Sequence, residues 1–590
     1  MARLTGISLR NFKAVGDAPV RLDLAPVTLL YGPNGAGKSS IIHALHYARE
    51  VLERGNLDPD RTLTGGALDL GGWRALIHQR DLSRDMVLGF ELDVSDLGTE
   101  FEVAYDDMGP AVDPDRLQAT EFADRAAVEL TIRWSQTRRA PYVARLAVAA
   151  AQQPFAALEA TPDGRSVELV DVNLDHSLFN DPDWTIESER KVLSEGPWDE
   201  PGPWNGFAEK SAPDGRIDSV LFTVRTEEGV VERLGVLGTV DALPSREGFS
   251  LDWNDHPVSP PDSFPREMPR KYRGEMADGN SRYVYSEEMG RGEQQAVGVY
   301  LNAVIAGSVN ALRDALADMV PIGPLRELPP RGFVAQRTPD PARWASGLAA
   351  WDRLATLDDE TIADVDAWMA GPDRLDSGFG VRVERFRRVV AASDFAELMA
   401  RGLSPLDLAD LARLWEEIPE DRRVTLRDVA RRIDVEPAEV GIGVSQLLPV
   451  VVAALDHRAR LVVVEQPELH VHPRLQTGLG DLFAAGAAPL GEQPALFDDM
   501  PSLAIPNDRT FLIETHSEHL ALRLLRRIRE ANEGAARPDD PVVTPAMLSI
   551  NYAMPGKDGL RLLRLRVDET GEFLDRWPEG FFAERRAELF

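Results

Sequence analysis

The sequence predicts an α/β fold with an antiparallel β subdomain and a large β-then-helical insertion. Three stretches carry that expectation. Gly32-Pro33-Asn34-Gly35-Ala36-Gly37-Lys38-Ser39-Ser40 lies between an apolar run and a helical pattern. Leu461-Val462-Val463-Val464-Glu465 has the form of a buried parallel strand presenting an acid at its C-terminal edge, and Thr510-Phe511-Leu512-Ile513 repeats that form before a polar cluster.

Taken in order, Leu4 to Val15 reads as a first strand and turn, and Val20 to Leu24 as a second strand. Val27-Thr28-Leu29-Leu30-Tyr31 is apolar enough for a buried strand, and Ile41, Leu45, Ala48 and Leu52 then share one helical face. A complete GxxxxGKS run at such a strand-to-helix junction is a phosphate-binding loop. Its glycines let backbone N–H groups close around a triphosphate, Lys38 offers a point charge to the β- and γ-phosphates, and Ser39 offers a hydroxyl to Mg²⁺.

Beyond Leu52 a glycine-marked connector precedes alternating, strand-like segments at Met86–Val94, Ala127–Trp134, Tyr142–Val148, Ser166–Val172 and Ser219–Arg225. Residues 180–292 are dense in Pro, Trp, Gly and acids and read as a loop-rich insertion. Helices are expected over Glu293–Met319, within Trp344–Met369 and within Ser393–Glu417. The expected units are 1–95 (first lobe), 96–292 (β-rich and loop-rich insertion), 293–430 (mainly helical insertion) and 431–590 (second lobe). No fixed-period repeat and no long heptad run is present, which argues against tethering over long distances.

Composition narrows the function. A formal charge of −32 argues against a surface coated for nucleic acid, so any such contact must be a local patch or a partner's. The absence of cysteine rules out disulfides and thiolate metal sites. No apolar run reaches the roughly 20 residues of a membrane helix, and the expectation is a soluble cytoplasmic protein with no membrane partner.

Around the second and third stretches, Glu465 is the expected metal-side carboxylate and His516 the expected neighbour of the γ-phosphate, with Ser517 capping the following helix. Val440-Gly441-Ile442-Gly443-Val444-Ser445-Gln446 makes a second glycine-marked helix start, a second anion-binding tip. One chain has no use for two such tips on one nucleotide, so a second subunit is expected. His470 and His472 alternate around an apolar residue, and pairing or capping near Pro473 is expected there rather than a metal pair. Asp358-Asp359-Glu360 and Asp539-Asp540 read as solvated loop acids rather than a metal nuclease centre.

In this order, these elements resemble the ATP-binding-cassette class of ATPase heads that includes SMC proteins and double-strand-break repair ATPases. The closer resemblance is to stand-alone bacterial AAA ATPases of the overcoming-lysogenisation-defect group. Glu465-Gln466-Pro467-Glu468-Leu469-His470-Val471-His472-Pro473 is similar to their extended Walker B segment, and Gly441 to Pro449 to their signature. Ile513-Glu514-Thr515-His516-Ser517-Glu518-His519 is similar to their switch-histidine segment, Ile322-Gly323-Pro324-Leu325-Arg326 to an internal motif, and Trp577 to Phe582 to a C-terminal domain of one branch.

The resemblance implies a P-loop ABC-type ATPase head using ATP and Mg²⁺. Gly32, Asn34, Gly35, Gly37, Lys38, Ser39 and Ser40 would hold the phosphates, Ser39 and Glu465 would organise Mg²⁺, and Gln79, with His78 beside it, would complete the metal shell. Gly443, Ser445 and Gln446 would reach across a head-to-head dimer, or a higher even oligomer, to a partner's ATP. Gln466 stands where the class usually places a catalytic glutamate, and an amide cannot take the proton a general base must take. Either Glu468 assumes that role, or turnover is slow and the ATP-bound dimer is long-lived. Members of these groups act in phage defence or DNA metabolism beside an effector, here expected to be a separate nuclease-like polypeptide. The alternative is an ATP-stabilised scaffold with marginal hydrolysis that assembles partner subunits. A transporter ATPase subunit fits less well, given the very large insertion. Arg523, Arg526, Arg527 and Arg529 form the most credible basic patch, open to DNA phosphates or to neighbouring acids. The acidic stretch 183–288 is read first as soluble surface and second as a dock for a basic partner.

Overall fold

The computed structural model describes residues 2–95 and 125–173 apart from 60, 63–64 and 161–166, and residues 304–578 apart from 306, 337–339, 403–407, 489–490, 494–502 and 506–508. Between 173 and 304 it describes only the strands at 224–226, 229–231, 267–273 and 282–288. Most of the loop-rich insertion, the start of the helix expected from Glu293 and the end of the Trp577–Phe582 motif lie outside the described residues. So does most of the strand expected at Ser219–Arg225.

In chain order, β1 (Arg3–Arg10), β2 (Val20–Asp23) and β3 (Val27–Tyr31) precede α1 (Lys38–Arg54) and β4 (Met86–Asp93). Four more strands follow: β5 (Arg125–Ser135), β6 (Ala140–Ala150), β7 (Gln153–Ala160) and β8 (Val167–Val172). Later come β9 (Val320–Ile322), α2 (Ile442–Leu455), β10 (Leu461–Glu465), α3 (Pro473–Ala487), β11 (Thr510–Glu514), α4 (Glu518–Asn532), β12 (Leu548–Gly556) and β13 (Gly559–Leu565).

Two sheets organise the molecule. One is antiparallel, in the order β8-β7-β6-β5-β4-β1-β2. The other runs β9-β10-β11-β3-β12-β13, parallel from β9 to β12 and closed by antiparallel β13. The parallel sheet is buried on both faces, and its residues alternate between two cores. Leu30, Leu461, Val463 and Leu512 join the core shared with α1 and the antiparallel sheet. Leu29, Tyr31, Val462, Val464, Phe511 and Ile513 join the core under α2, α3 and α4. This two-sided burial is why these strands read as unbroken apolar runs.

The expected units are redrawn at two places. β5 to β8 extend the sheet begun by β1 and β4, so residue 95 is no boundary between sheets. The 293–430 stretch, expected to be mainly helical, supplies β9 to the parallel sheet and most of a three-stranded antiparallel sheet at Phe379–Arg387, Glu420–Asp428 and Ile433–Val435. Two of the three helical segments expected there are each broken in two, at Leu348–Leu354 with Asp359–Ala370, and at Asp394–Arg401 with Leu408–Glu417. Asp358 makes the first break by capping: its carboxylate accepts the Thr361 N–H at 2.8 Å.

Candidate functional site

Because β3, β10 and β11 are parallel neighbours, their C-terminal ends line one edge of the sheet, and the loop after β3 delivers α1 to that edge. Gly32, Gly35 and Gly37 take φ values of 142°, 77° and 98°, which side chains rarely allow. This backbone wraps Lys38 inward. Its buried Nζ donates to the carbonyls of Gly32 at 2.9 Å and Pro33 at 3.2 Å and stands 3.6 Å from Glu514.

Ser39 Oγ donates to Glu514 Oε2 at 2.9 Å, and Glu514 faces Glu465 in register across the β10–β11 ladder. Burial first, and the Glu514 charge second, push the Glu465 carboxyl up to about 7, against the opposing pull of Arg326. Burial likewise raises Glu514, although Lys38 and Ser39 hold it down in part. A hydroxyl with one buried and one half-buried carboxylate from adjacent strands fits a hard divalent cation that takes its remaining ligands from phosphate and water. They do not form a protein-only cage: among the described residues no group of three or more His, Cys, Asp or Glu side chains is arranged for a metal ion.

Glu468 does not stand free at this edge. Its carboxylate accepts Thr515 Oγ1 at 2.8 Å and the His516 backbone N–H at 2.6 Å, which ties the turn after β10 to the turn after β11. Gln466 adopts φ 46°, and its N–H donates to the Glu514 carbonyl at 2.7 Å. His516 lies close enough to Lys38 that this charge adds to burial in lowering its pKa. Ser517 caps α4 by accepting the Leu520 N–H at 3.2 Å, and His472 caps α3 by accepting the Arg474 N–H at 3.2 Å, as expected of both. The lysine, the hydroxyl, both carboxylates and the histidine thus meet from opposite ends of the chain.

The signature residues behave differently from expectation. Ser445 is fully buried, with Oγ donating to the Ile442 carbonyl at 2.8 Å, and Gln446 is buried against Arg326, whose N–H it accepts at 3.1 Å. Neither presents a side chain to a second copy, because the first turn of α2 rotates both into the core. Gly441 and Ile442 are exposed and Gly443 is half-exposed. A Cβ at Gly443 would come within 2.8 Å of the His470 carbonyl, so glycine there permits the close approach of α2 to the turn after β10.

His78 is held by the Lys13 carbonyl at 2.8 Å, and Gln79 is exposed in a left-handed conformation with no hydrogen bond to Ser39, Glu465 or Glu514. The arginine patch resolves into ion pairs. Arg523 and Arg527 both grip Asp481, Arg526 pairs with Glu530, Arg527 also meets Asp540, and Arg529 pairs with Glu572. Of the two alternatives for the patch, neighbouring acids take these arginines.

Two residues of this edge escaped the sequence reading. Glu514 was quoted only as a member of the switch-histidine segment, and its pairing with Ser39 depends on strand order. Arg326, noted within a motif, proves to be buried between α2 and the turn after β10.

Comparison with known proteins gives two family models. One described as "AAA domain" matches residues 7–49, and one described as "AAA domain, putative AbiEii toxin, Type IV TA system" matches residues 335–523. Together these matches include Lys38, Ser39, Glu465, Glu514 and His516. No curated protein matches. Among solved structures the chain is similar to the SMC head domain from Thermotoga maritima at 9% identity and a TM-score of 0.32, covering 96% of this chain and 100% of that one. It is also similar to an SMC head domain with an extended coiled coil bound to the C-terminal domain of ScpA, derived from Pyrococcus furiosus, at 8% identity and a TM-score of 0.34, covering 96% and 97%.

Proposed function

We propose that the chain is an ATP-binding and ATP-hydrolysing ABC-type ATPase that dimerises around ATP and controls a separate effector, such as a nuclease, in bacterial anti-phage defence or DNA metabolism. The observation that carries this reading is the meeting of Ser39 with Glu514, 475 positions apart, beside Lys38, Glu465 and His516. The AAA model whose description mentions a toxin of a toxin–antitoxin system supports the defence context.

In this reading Lys38 exchanges its bonds to the Gly32 and Pro33 carbonyls for β- and γ-phosphate oxygens, while the loop N–H groups cradle the same phosphates. Ser39, Glu465 and Glu514 would hold Mg²⁺, which supplies charge neutralisation at the phosphates. His516, kept neutral by burial and by Lys38, is suited to hydrogen-bond a terminal phosphate group at neutral pH. The half-exposed Gly443 end of α2 offers backbone N–H groups to a second copy's nucleotide.

Steady-state turnover, with and without DNA, tests the reading alongside binding of a fluorescent ATP analogue. Lys38→Ala should abolish binding, and Glu465→Gln should keep binding while lowering turnover by about a hundredfold or more. Wild-type protein that binds no nucleotide would defeat the assignment.

A second reading, the ATP-held scaffold, is favoured by one arrangement: Gln466 replaces the usual base, and Glu468 is already engaged by Thr515 and His516. Turnover near background in the wild type, with ATP still driving assembly, would select it.

A further inference from the structure

Arg326 is 4% exposed, yet among the described residues its guanidinium has no carboxylate at ion-pair distance. Its hydrogen bonds go to backbone instead. Nη1 donates to the Gln446 carbonyl at 3.3 Å, and Nη2 donates to the carbonyls of Glu465 at 2.7 Å and Gln466 at 3.3 Å. Its own peptide group is clamped by one side chain: the Gln446 amide accepts from the Arg326 N–H at 3.1 Å and donates to the Arg326 carbonyl. Nε is buried with no partner.

A buried cation held by carbonyls alone is expensive, and its nearest compensation is electrostatic, from Glu468 and Glu465. Five contacts therefore join three pieces of chain: the loop after β9, the first turns of α2, and the Glu465–Gln466 turn at the metal edge. Gly347 makes room for this, since a Cβ there would meet Arg326 Cβ at 3.1 Å.

We propose that Arg326 is a positioning residue that couples the exposed tip of α2 to the Glu465–Gln466 turn, so that a second copy docking on Gly441–Gly443 sets the carboxylate geometry needed for turnover. The inference rests on the ATPase reading above and specifies how that site is regulated. A displacement of α2 moves Gln446, Gln446 moves the Arg326 backbone, and the guanidinium moves the carbonyls of Glu465 and Gln466. Rate rises with protein concentration because docking completes the edge.

The test measures turnover per chain against protein concentration, together with affinity for a fluorescent ATP analogue in dilute protein, for wild type, Arg326→Gln and Gln446→Met. The expected result is an analogue affinity within about twofold of wild type and a loss of about ten- to a hundredfold in the concentration-dependent rate. The double variant should lose no more than the worse single one, because both cut the same connection. Wild-type concentration dependence retained in both single variants, or losses that multiply in the double variant, would overturn the coupling while leaving the ATPase assignment intact. A wild type that neither binds nor hydrolyses ATP would overturn both. Should Arg326→Gln fail to fold, Gln446→Met alone decides, since it leaves the guanidinium in place and removes only the two side-chain bonds to its backbone.

Discussion

Buried Glu514 and half-buried Glu465, on adjacent strands, make this edge of the parallel sheet sensitive to pH. Glu465 is raised from its ordinary 4.5 to about 7, so the folded, nucleotide-free chain keeps a proton that the unfolded chain releases. Its stabilising contribution is complete below pH 4.5 and is lost as the pH climbs through 7, an effect of about 3 kcal/mol; Glu514, also raised, acts with the same sign. Urea melts at pH 5.5 and 8 should therefore show the metal-free chain weaker at pH 8, with Glu465→Gln flattening the difference. An unchanged slope in that variant would show that the proton sits elsewhere. At this scale Lys38, Ser39, Glu465 and His516 could be singled out as candidates because each lies inside a local motif, while their meeting at one edge of the sheet comes from the fold. Glu514 lies in the same segment as His516 but was not singled out, because its contact with Ser39 follows from β11 lying between β10 and β3, and strand order is a long-range property. Ser445 and Gln446 were misread for the related reason that the motif fixes a helix start but not the direction in which its first turn faces.

Elements meet through contacts that single-residue patterns do not reveal. α3 and α4 are joined by Asp481, which Arg523 and Arg527 grip together at 2.6 and 2.7 Å in a largely buried site. Removing the acid takes from Arg523 its carboxylate and leaves Arg527 only Glu530 and Asp540, so Asp481→Ala should lower stability by about 3 kcal/mol, measured by chemical denaturation. Charge reversal at exposed Arg526 should cost less than about 1 kcal/mol, since its pair with Glu530 is a surface i,i+4 contact. Equal losses at the two sites would contradict this ranking. The arginines looked like a basic patch because Asp481 lies more than forty positions earlier, on α3. The α2 contact is equally specific. Gly443→Ala must push the helix tip from the His470 carbonyl, and the expected outcome is turnover lowered at least about tenfold with nucleotide affinity held within about twofold. Loss of affinity to the same degree would instead place Gly443 in direct support of the phosphate loop.

For the whole molecule, the order of strands in the parallel sheet has a consequence that chain order hides. β3 comes from the first thirty-one residues, yet it is inserted between β11 and β12, with parallel ladders to both. An N-terminal piece ending at β8 would carry β3 with both edges unpaired, and a C-terminal piece starting before the helix at 307–317 would hold β11 and β12 facing a gap one strand wide. Unpaired buried backbone groups on both sides make each piece unstable alone and complementary to the other. The cores agree, since residues 304–319 and the strands β1, β4, β5 and β6 belong to a single apolar cluster. Co-expression of 1–200 with 290–590 should therefore yield a co-purifying pair that binds the ATP analogue with an affinity within about tenfold of the intact chain, and neither piece should bind it alone. Lys38→Ala in the first piece, or Glu465→Gln with Glu514→Gln in the second, should impair the nucleotide site without separating the pieces, because strand pairing and not phosphate chemistry holds them together. Pieces that purify separately, or a first piece that binds nucleotide on its own, would show that the phosphate loop folds without its neighbours in the sheet. The assembly of one site from both ends of the chain would then be dispensable for binding.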